Sequence, residues 1–148
     1  MEEVWEYYKL IRYNIQLENV ELFSMECESF NIPEGDGSIS IRIGLEIRSQ
    51  ILDEDTAEIF LRTTLDFEDD GPFYIKIVYR GVCSQNGNLT EEEFKSQAED
   101  QTVPLLLPYV REYVSDVITR MGYPPYYLPT MDVMQSLASN SKRSQQEE

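Results

Sequence analysis

Carboxylates are the side chains with the most obvious capacity for chemistry in this 148-residue sequence. It contains 28 Asp and Glu residues against 12 Lys and Arg, which gives a formal net charge of −16. Acidic residues lie close together at Glu26 and Glu28 and in the run Asp53-Glu54-Asp55. Such groups can act as paired acids in general acid–base catalysis or as oxygen ligands for calcium. Neither stretch has the spacing of an EF-hand loop, so we interpret them as solvated acids on a strand and in a turn.

Several reaction classes are excluded by residues that the sequence lacks. It contains no His, which removes His-based triads, His-ligated zinc sites and pH sensing through imidazole. Cys27 and Cys83 are far apart and form no C-x-x-C pair, which is typical of idle thiols in a reducing compartment. A Gly-rich phosphate loop and a G-x-S-x-G motif are also missing. We therefore expect a protein that is not an enzyme and that uses no cofactor or metal.

The strong negative charge bears on the partners of the protein. Nucleic acids and anionic membrane surfaces attract basic stripes, so both are excluded as partners. The start Met1-Glu2-Glu3 does not resemble a signal peptide, and the apolar run at residues 103–110 is short and contains Pro104 and Pro108. These features predict a cytoplasmic location.

The first two thirds of the sequence show the period of two that is typical of strands. Apolar and polar residues alternate over about residues 12–30, 39–48, 58–67 and 73–83, with turn residues between these stretches. Short connections favour antiparallel neighbours, which predicts four antiparallel strands in a row or a near relative of that order. The fourth strand carries Tyr74 and Val78 on one face and isoleucines on the other, so we expect both of its faces to be covered.

Helical signals dominate the last third. Thr90 and Glu93 have the spacing of a capping box and predict a short helix to about residue 100. Apolar residues at helical spacing predict a main helix over residues 103–121, kinked or delayed by Pro108 and ended by Gly122. A short helix is expected at residues 131–138 and a disordered polar tail at 139–148. Together with an N-terminal arm or short helix at residues 1–10, this predicts a single α+β domain over residues 1–138.

Aromatic residues are more numerous than such a small core requires. The sequence has 10 Tyr, 6 Phe and 1 Trp, several at positions that a monomer would leave exposed. Surplus apolar surface marks a subunit interface, a binding groove or both. An acidic oligomeric regulator that binds a basic protein partner is a separate alternative, and high salt would weaken its binding while sparing apolar binding.

Three stretches of the sequence carry a family resemblance. They are Leu-Leu-Leu-Pro-Tyr-Val-Arg-Glu at 105–112, Arg-Met-Gly-Tyr-Pro-Pro at 120–125 with Leu128-Pro129, and Gly-Val-Cys-Ser at 81–84. They resemble the L/F-P-Y-A-R-E helix motif, the R-G-x-F-P loop and the G-I-F-S strand end of the SecB family of protein-export chaperones. The order of four strands followed by helices is similar too, and the resemblance covers about residues 11–138.

This resemblance implies an ATP-independent holdase that binds extended apolar segments of unfolded proteins or preproteins. It also implies a cytoplasmic homotetramer, a dimer of dimers, with the client groove bordered by Tyr126, Tyr127, Leu128, Met131 and Met134. The subunit interfaces would contain Tyr74, Val78, Tyr109, Tyr113 and Val117.

Two features bear on the partner to which such a holdase delivers its clients. Family members present acidic residues to the motor protein SecA on the outer sheet face. Here Glu26 and Glu28 would form that patch, while Lys76 stands where the family has an acid in the fourth strand. SecB-like proteins also include chaperones dedicated to one client such as an antitoxin, and the sequence is compatible with that role.

Overall fold

The computed structural model describes residues 2–30, 41–67, 71–124, 126 and 128. Over these residues the chain forms two helices and four strands: α1 (Glu2–Asn14), β1 (Ile15–Ser29), β2 (Ile41–Ile51), β3 (Thr56–Phe67), β4 (Phe73–Gln85) and α2 (Glu91–Arg120). The predicted α+β class is confirmed. The predicted helix at 131–138 and tail at 139–148 lie outside the described residues.

The four strands form one antiparallel sheet in the order β1-β4-β3-β2. Of the two predicted arrangements, strands in a row or a near relative of that order, the structure has the second: β1 pairs with β4, from Ile15 opposite Gln85 to Ser29 opposite Phe73. Alternation of apolar residues specifies which face of a strand is buried, but it does not specify the partner strand. Because the segment between β1 and β2 is longer than a tight hairpin turn, it does not force those two strands to be neighbours.

The hydrophobic core lies between α2 and one face of the sheet, which we call the inner face. Alternate residues of β3 and β4 are buried there and meet the apolar stripe of α2. The main contributors are Ile59, Leu61, Leu65, Ile75, Ile77, Leu106, Val110, Val114 and Ile118. Gly81 is also on this face, and a Cβ at its position would lie 2.7 Å from Cγ2 of Thr102. The helix therefore packs closely on β4 at a position that has no side chain.

α2 is one continuous helix, whereas the sequence predicted two pieces separated near residue 102. The Thr90–Glu93 capping box is confirmed, and so is the end at Gly122, whose φ is +92°. Pro104 and Pro108 lie inside the helix. A proline in a helix interior costs about 3 kcal/mol. The buried stripe runs without a break across both prolines, so continued burial against the sheet offsets that cost.

α1 extends further than the predicted arm, and β1 correspondingly begins at Ile15 rather than near residue 12. Spacing of three and four residues places Tyr7 and Ile11 on one face of a helix, and Ile11 is completely buried. The Tyr7 hydroxyl donates a 2.6 Å hydrogen bond to Oδ2 of Asp100 in α2. At the end of α1, Nδ2 of Asn14 donates to Oε1 of Gln97 over 3.1 Å. These contacts dock α1 on the first half of α2.

A test of this docking concerns the charge of Asp100. Burial raises the pKa of Asp100, and the Tyr7 hydrogen bond opposes that rise with a smaller effect. The carboxyl of Asp100 thus binds its proton more tightly in the folded state than in the unfolded chain. The stability that this bound proton adds at acidic pH is lost as the pH rises through the folded-state pKa of Asp100. Asp100→Asn keeps an oxygen acceptor for Tyr7 without the buried charge. We expect it to raise the melting temperature at pH 7 and to give no such gain below the reference carboxyl pKa of about 3.9. Thermal melts at both pH values provide the measurement, and a lower melting temperature at pH 7 would contradict it.

Candidate binding surfaces on the two sides of the sheet

On the inner side of the sheet, α2 leaves a band of apolar side chains uncovered next to β1. We call this band the helix-side strip. Leu22 and Met25 of β1 are 41% and 46% exposed, and Leu105 and Tyr109 of α2 are 39% and 47% exposed. Leu22 stands opposite Tyr79 of β4, whose side chain points to the helix side of the sheet. The strip consists of Leu22, Met25, Leu105, Tyr109 and Tyr113, together with Tyr79, which is only 8% exposed.

An open groove of about 540 Å³ lies within the strip. Its apolar wall contains Tyr79 and Tyr109, whose ring centroids are 5.9 Å apart, and Tyr113, whose hydroxyl donates to the sulfur of Met25. Glu112 and Asp116 form the polar rim on α2. Burial raises the pKa of Tyr79, with smaller effects in the same direction from Tyr113 and Glu112, so its hydroxyl remains protonated at neutral pH. The groove therefore has an aromatic wall and one acidic edge.

The opposite side of the sheet, which we call the outer sheet face, has an aromatic centre. Phe23 and Phe60 meet edge to face with ring centroids 5.0 Å apart. β4 lies between their strands, so the rings meet across it near Val78. Phe23 is the extra residue of a β-bulge between Leu22 and Ser24, and it is 60% exposed. Phe23 points to the outer face because it follows the inward-facing Leu22, and the bulge keeps Ser24, opposite Val78, on that face as well.

Ion pairs surround the aromatic centre. Arg80 contacts Glu21 and Glu58, each at 2.8 Å. Lys76 Nζ lies 3.7 Å from Glu26, and Arg42 lies 3.0 Å from Asp66. A further pair joins Arg62 to Glu46. Every one of these pairs joins neighbouring strands, so most basic side chains of this face are already paired with acids of the same chain.

The five residues predicted at subunit interfaces do not lie on one surface. Tyr74 and Val78 are partly exposed on the outer sheet face, and Tyr109 and Tyr113 belong to the helix-side strip. Val117 is only 6% exposed and lies in the core. Their role in subunit contacts stays a prediction, which would now require two separate surfaces.

The residues predicted to border the client groove follow the end of α2. Tyr126 is partly buried and packs against the core, and Leu128 is 5% exposed within it. Tyr127, Met131 and Met134 lie outside the described residues. The proposed acidic patch is on the outer face of β1, where Glu26 is opposite Lys76 and Glu28 is opposite Tyr74.

Sequence reasoning missed Leu22, Phe23, Met25 and Leu105 as surface residues. The available signal was the broken alternation of β1, where Leu22 and Phe23 are adjacent apolar residues. Adjacent residues of a strand point to opposite faces of the sheet, so Leu22 is exposed on the inner side and Phe23 on the outer side. Leu105 looked like a member of the buried helical stripe, but it lies at the edge that faces β1.

Other chemistry is sparse in the part of the chain that the structure describes. Residues 2–30, 41–67, 71–124, 126 and 128 contain no group of three or more acidic or Cys side chains able to hold a metal ion. Cys27 is exposed and Cys83 is buried, and neither forms a disulfide. Neither α1 nor α2 is both long enough and apolar enough to cross a membrane.

These features define an α+β domain in which one long helix covers one side of a β1-β4-β3-β2 sheet and apolar surface remains exposed on both sides. The family model described as preprotein translocase subunit SecB matches residues 11–144. The chain belongs to the SecB family, as the sequence motifs predicted. This is a family of chaperones rather than of enzymes. The first nine residues of α1 precede the matched region.

Individual relatives are distant. The protein-export protein SecB of Actinobacillus succinogenes is 24% identical over 140 residues, which cover 90% of this chain and 84% of that protein. The protein of the same name from Bartonella bacilliformis is 26% identical over 97 residues, covering 64% of this chain and 60% of the relative. Among solved structures, the Mycobacterium tuberculosis SecB-like chaperone in complex with a ChAD peptide from the HigA1 antitoxin matches with a TM-score of 0.72. That match covers 89% of this chain and all of the other at 16% identity, so it concerns the fold alone.

Proposed function

We propose that the protein is an ATP-independent holdase that binds extended apolar segments of unfolded polypeptides, including preproteins. Membership of the SecB family supports this function. The observation that carries it in this chain is the helix-side strip, where aliphatic and aromatic side chains stay exposed along both β1 and α2. A folded monomer rarely leaves such a continuous patch without a binding role.

Binding in this proposal needs no covalent step and no nucleotide. A client side chain displaces water from the groove, and each fully buried leucine or phenylalanine contributes about 1.5–3 kcal/mol. Tyr109 and Tyr113 offer large apolar faces with a polar tip, and Met25 adapts to different shapes. These properties suit a surface that accepts many sequences. Tyr126, Tyr127, Leu128, Met131 and Met134, which follow α2 in the sequence, stay in the proposal as further residues that border the client groove.

The test compares two leucine-to-serine double variants, and the leucine side chains that they replace have similar exposed fractions. The double variant Leu22→Ser/Leu105→Ser removes two side chains of the strip, whereas Leu10→Ser/Leu52→Ser removes two that are 51% and 47% exposed elsewhere. Each variant is mixed with a chemically unfolded, slow-folding protein, and aggregation is followed by light scattering. We expect the strip variant to bind the client at least about tenfold more weakly, since 1.4 kcal/mol corresponds to a factor of ten. The control variant should match the original protein, also in high salt.

Equal protection by both double variants would show that clients do not bind at the strip. Loss of protection in high salt alone would instead favour the acidic regulator that binds a basic partner, because screening weakens charge pairs but not apolar contacts.

A second candidate is a chaperone dedicated to one client. Its support is the Mycobacterium tuberculosis SecB-like chaperone, whose structure contains a peptide from the HigA1 antitoxin. A panel of unrelated unfolded proteins separates the two candidates. A general holdase should protect most of them at similar concentrations, and a dedicated chaperone should protect none of them while binding its own client.

We further propose that the protein works in the cytoplasm as a homotetramer and passes clients to SecA. Membership of the SecB family supports this assembly. The acidic patch is weaker than the family pattern, because Glu26 already has Lys76 as a partner at 3.7 Å. Docking of a basic partner would therefore depend mainly on Glu28.

A further inference from the structure

The buried stripe of α2 follows one row of side chains that are four residues apart. Such a row forms a ridge on the surface of a helix. The row consists of Phe94, Ala98, Thr102, Leu106, Val110, Val114 and Ile118, and all of them are buried. Because this row stays against the sheet, the rows next to it keep the same position relative to the sheet along the helix.

Two such rows on the β1 side of α2 carry both α1 and the open groove. The first consists of Gln97, Gln101, Leu105, Tyr109 and Tyr113, and the second of Asp100, Pro104, Pro108, Glu112 and Asp116. Both rows begin at a contact with α1, because Gln97 accepts the hydrogen bond from Asn14 and Asp100 accepts the one from Tyr7. The first row ends in the helix-side strip, and the second ends in the acidic rim of the groove. We call this continuous side of α2 the channel: α1 covers its first part, and the strip is its open part.

α1 is directed back along the channel toward the strip. From Asn14 to Tyr7, its contact on α2 moves from Gln97 to Asp100, which is the direction of Leu105. The other end of α1 is anchored beside β1. Nδ2 of Asn86 donates to the carbonyl oxygen of Tyr13 over 2.8 Å, and the Asn86 N–H donates to that of Asn14 over 3.2 Å. Asn14 is therefore a natural hinge for α1.

The rest of α1 is held by few contacts. Of residues 2–14, all of which the structure describes, Ile11 alone is buried. Trp5, Leu10 and Tyr13 are 58%, 51% and 74% exposed. A helix of this length is marginal in water by itself, and elements with few buried contacts open at a lower free energy than the core. α1 can therefore leave α2 while the sheet and the core stay folded.

We propose that α1 is a displaceable cover of the channel: an unfolded client that binds the open strip displaces α1, which swings about Asn14, and then occupies the surface at Gln97 and Asp100 as well. The proposal rests on the proposed holdase function and adds how client binding at that site is regulated. α1 also indicates what the covered part accepts. It offers the hydroxyl of Tyr7 to Asp100 and an aliphatic side chain at Ile11, so a matching client segment is apolar and contains a tyrosine or another hydrogen-bond donor.

The two parts of the channel differ in the length of client that they can hold. With a rise of about 1.5 Å per helical residue, the channel is about 24 Å long from Gln97 to Tyr113, and its open part is about 12 Å long from Leu105. An extended chain covers about 3.3 Å per residue. The open strip therefore holds about four client residues, and displacement of α1 extends the bound segment to about seven.

Hydrogen exchange of the full chain measures displacement directly. Deuterium uptake of residues 2–14 and of β3 is compared with and without a saturating amount of a chemically unfolded, slow-folding protein. We expect the client to speed exchange in α1 at least about tenfold while β3 keeps its protection, because α1 alone leaves its partner. Trp5 provides a second measurement, since it is the chain's only tryptophan. A client without tryptophan should make its fluorescence more sensitive to quenching by acrylamide. The proposal is overturned if α1 keeps or gains protection in the presence of saturating client.

Tyr7→Phe tests whether docking of α1 opposes client binding. It removes the hydroxyl that binds Asp100 and keeps the ring, so a larger fraction of molecules has the channel uncovered. Apparent affinity rises in proportion to that fraction, and we expect the variant to bind a fluorescently labelled unfolded client at least about threefold more tightly. Tyr13→Phe is the control, because it removes a hydroxyl from an exposed side chain of the same helix and should bind like the original protein. Circular dichroism melts confirm that both variants are folded, and equal client affinities of the two variants would also overturn the proposal.

Failure of the displacement and failure of the holdase function give different results. A protein that prevents aggregation while α1 keeps its protection would contradict displacement alone. A protein that binds no unfolded client would contradict the holdase function, and the displacement with it.

Discussion

Gly81→Ala is expected to lower the free energy of unfolding by about 2 kcal/mol, within the usual range of overpacking. The added Cβ would lie 2.7 Å from Cγ2 of Thr102 and 3.3 Å from Cδ1 of Leu17. α2 would have to move away from β4, and core contacts near Leu106 would weaken. Chemical denaturation followed by circular dichroism measures the loss.

A matched substitution separates the collision from the general effect of removing a glycine. Gly44 also lies in a strand, but a Cβ there would meet only Cβ of Thr64 at 3.9 Å. Gly44→Ala should therefore be neutral or slightly stabilising. Thr102→Ser deletes the colliding methyl group, so Gly81→Ala/Thr102→Ser should recover part of the loss relative to Thr102→Ser alone. If Gly44→Ala and Gly81→Ala cost the same, close packing at Gly81 is not the cause.

Phe94→Ala is expected to lower the free energy of unfolding by about 3–5 kcal/mol. Phe94 lies in the first turn of α2, is 1% exposed and belongs to the core cluster. Loss of the ring would leave a cavity and loosen the part of α2 on which α1 docks. Chemical denaturation measures the overall loss, and hydrogen exchange should show faster opening of α1 and of the first turns of α2.

Phe30→Ala is the control for this prediction, because Phe30 is 48% exposed at the end of β1. A surface substitution of this kind usually changes stability by less than about 0.5 kcal/mol. Similar losses for the two variants would mean that Phe94 is not part of a close-packed core.

Local signals in the sequence predicted local structure well. The alternation of β2 predicted which of its residues share a face, Thr90 and Glu93 predicted the start of α2, and Gly122 predicted its end, because each of these depends on residues close together in the chain. The pairing of β1 with β4 depends on residues far apart, and no local pattern encodes it. The prediction of two helical pieces was wrong for a related reason. The contacts that stabilise α2 across Pro104 are with the sheet rather than within the helix.

The candidate surfaces also contain residues that local sequence could identify and residues that it could not. Tyr109 and Tyr113 could be identified as surplus aromatic residues on a helix, and the structure places both in the strip. Leu22 and Phe23 could not be assigned to faces of the sheet, because both are apolar and the position of the β-bulge at Phe23 depends on pairing with β4. The family could be recognised from short motifs, because Pro108-Tyr109 and Gly81 each stand among neighbouring residues that resemble a motif of the family.

The pairing of β1 with β4 has a consequence for the synthesis and folding of the chain. During synthesis β1 leaves the ribosome before the other strands, but β4, with which it pairs in the described sheet, follows after β2 and β3. Pairings between distant segments form slowly because a long loop must close first. Until β4 arrives, Leu22, Phe23 and Met25 lie on an unpaired, extended, apolar segment. Each newly made copy therefore passes through a state with the features of the clients proposed for its finished form, and neighbouring finished copies are suited to shelter it.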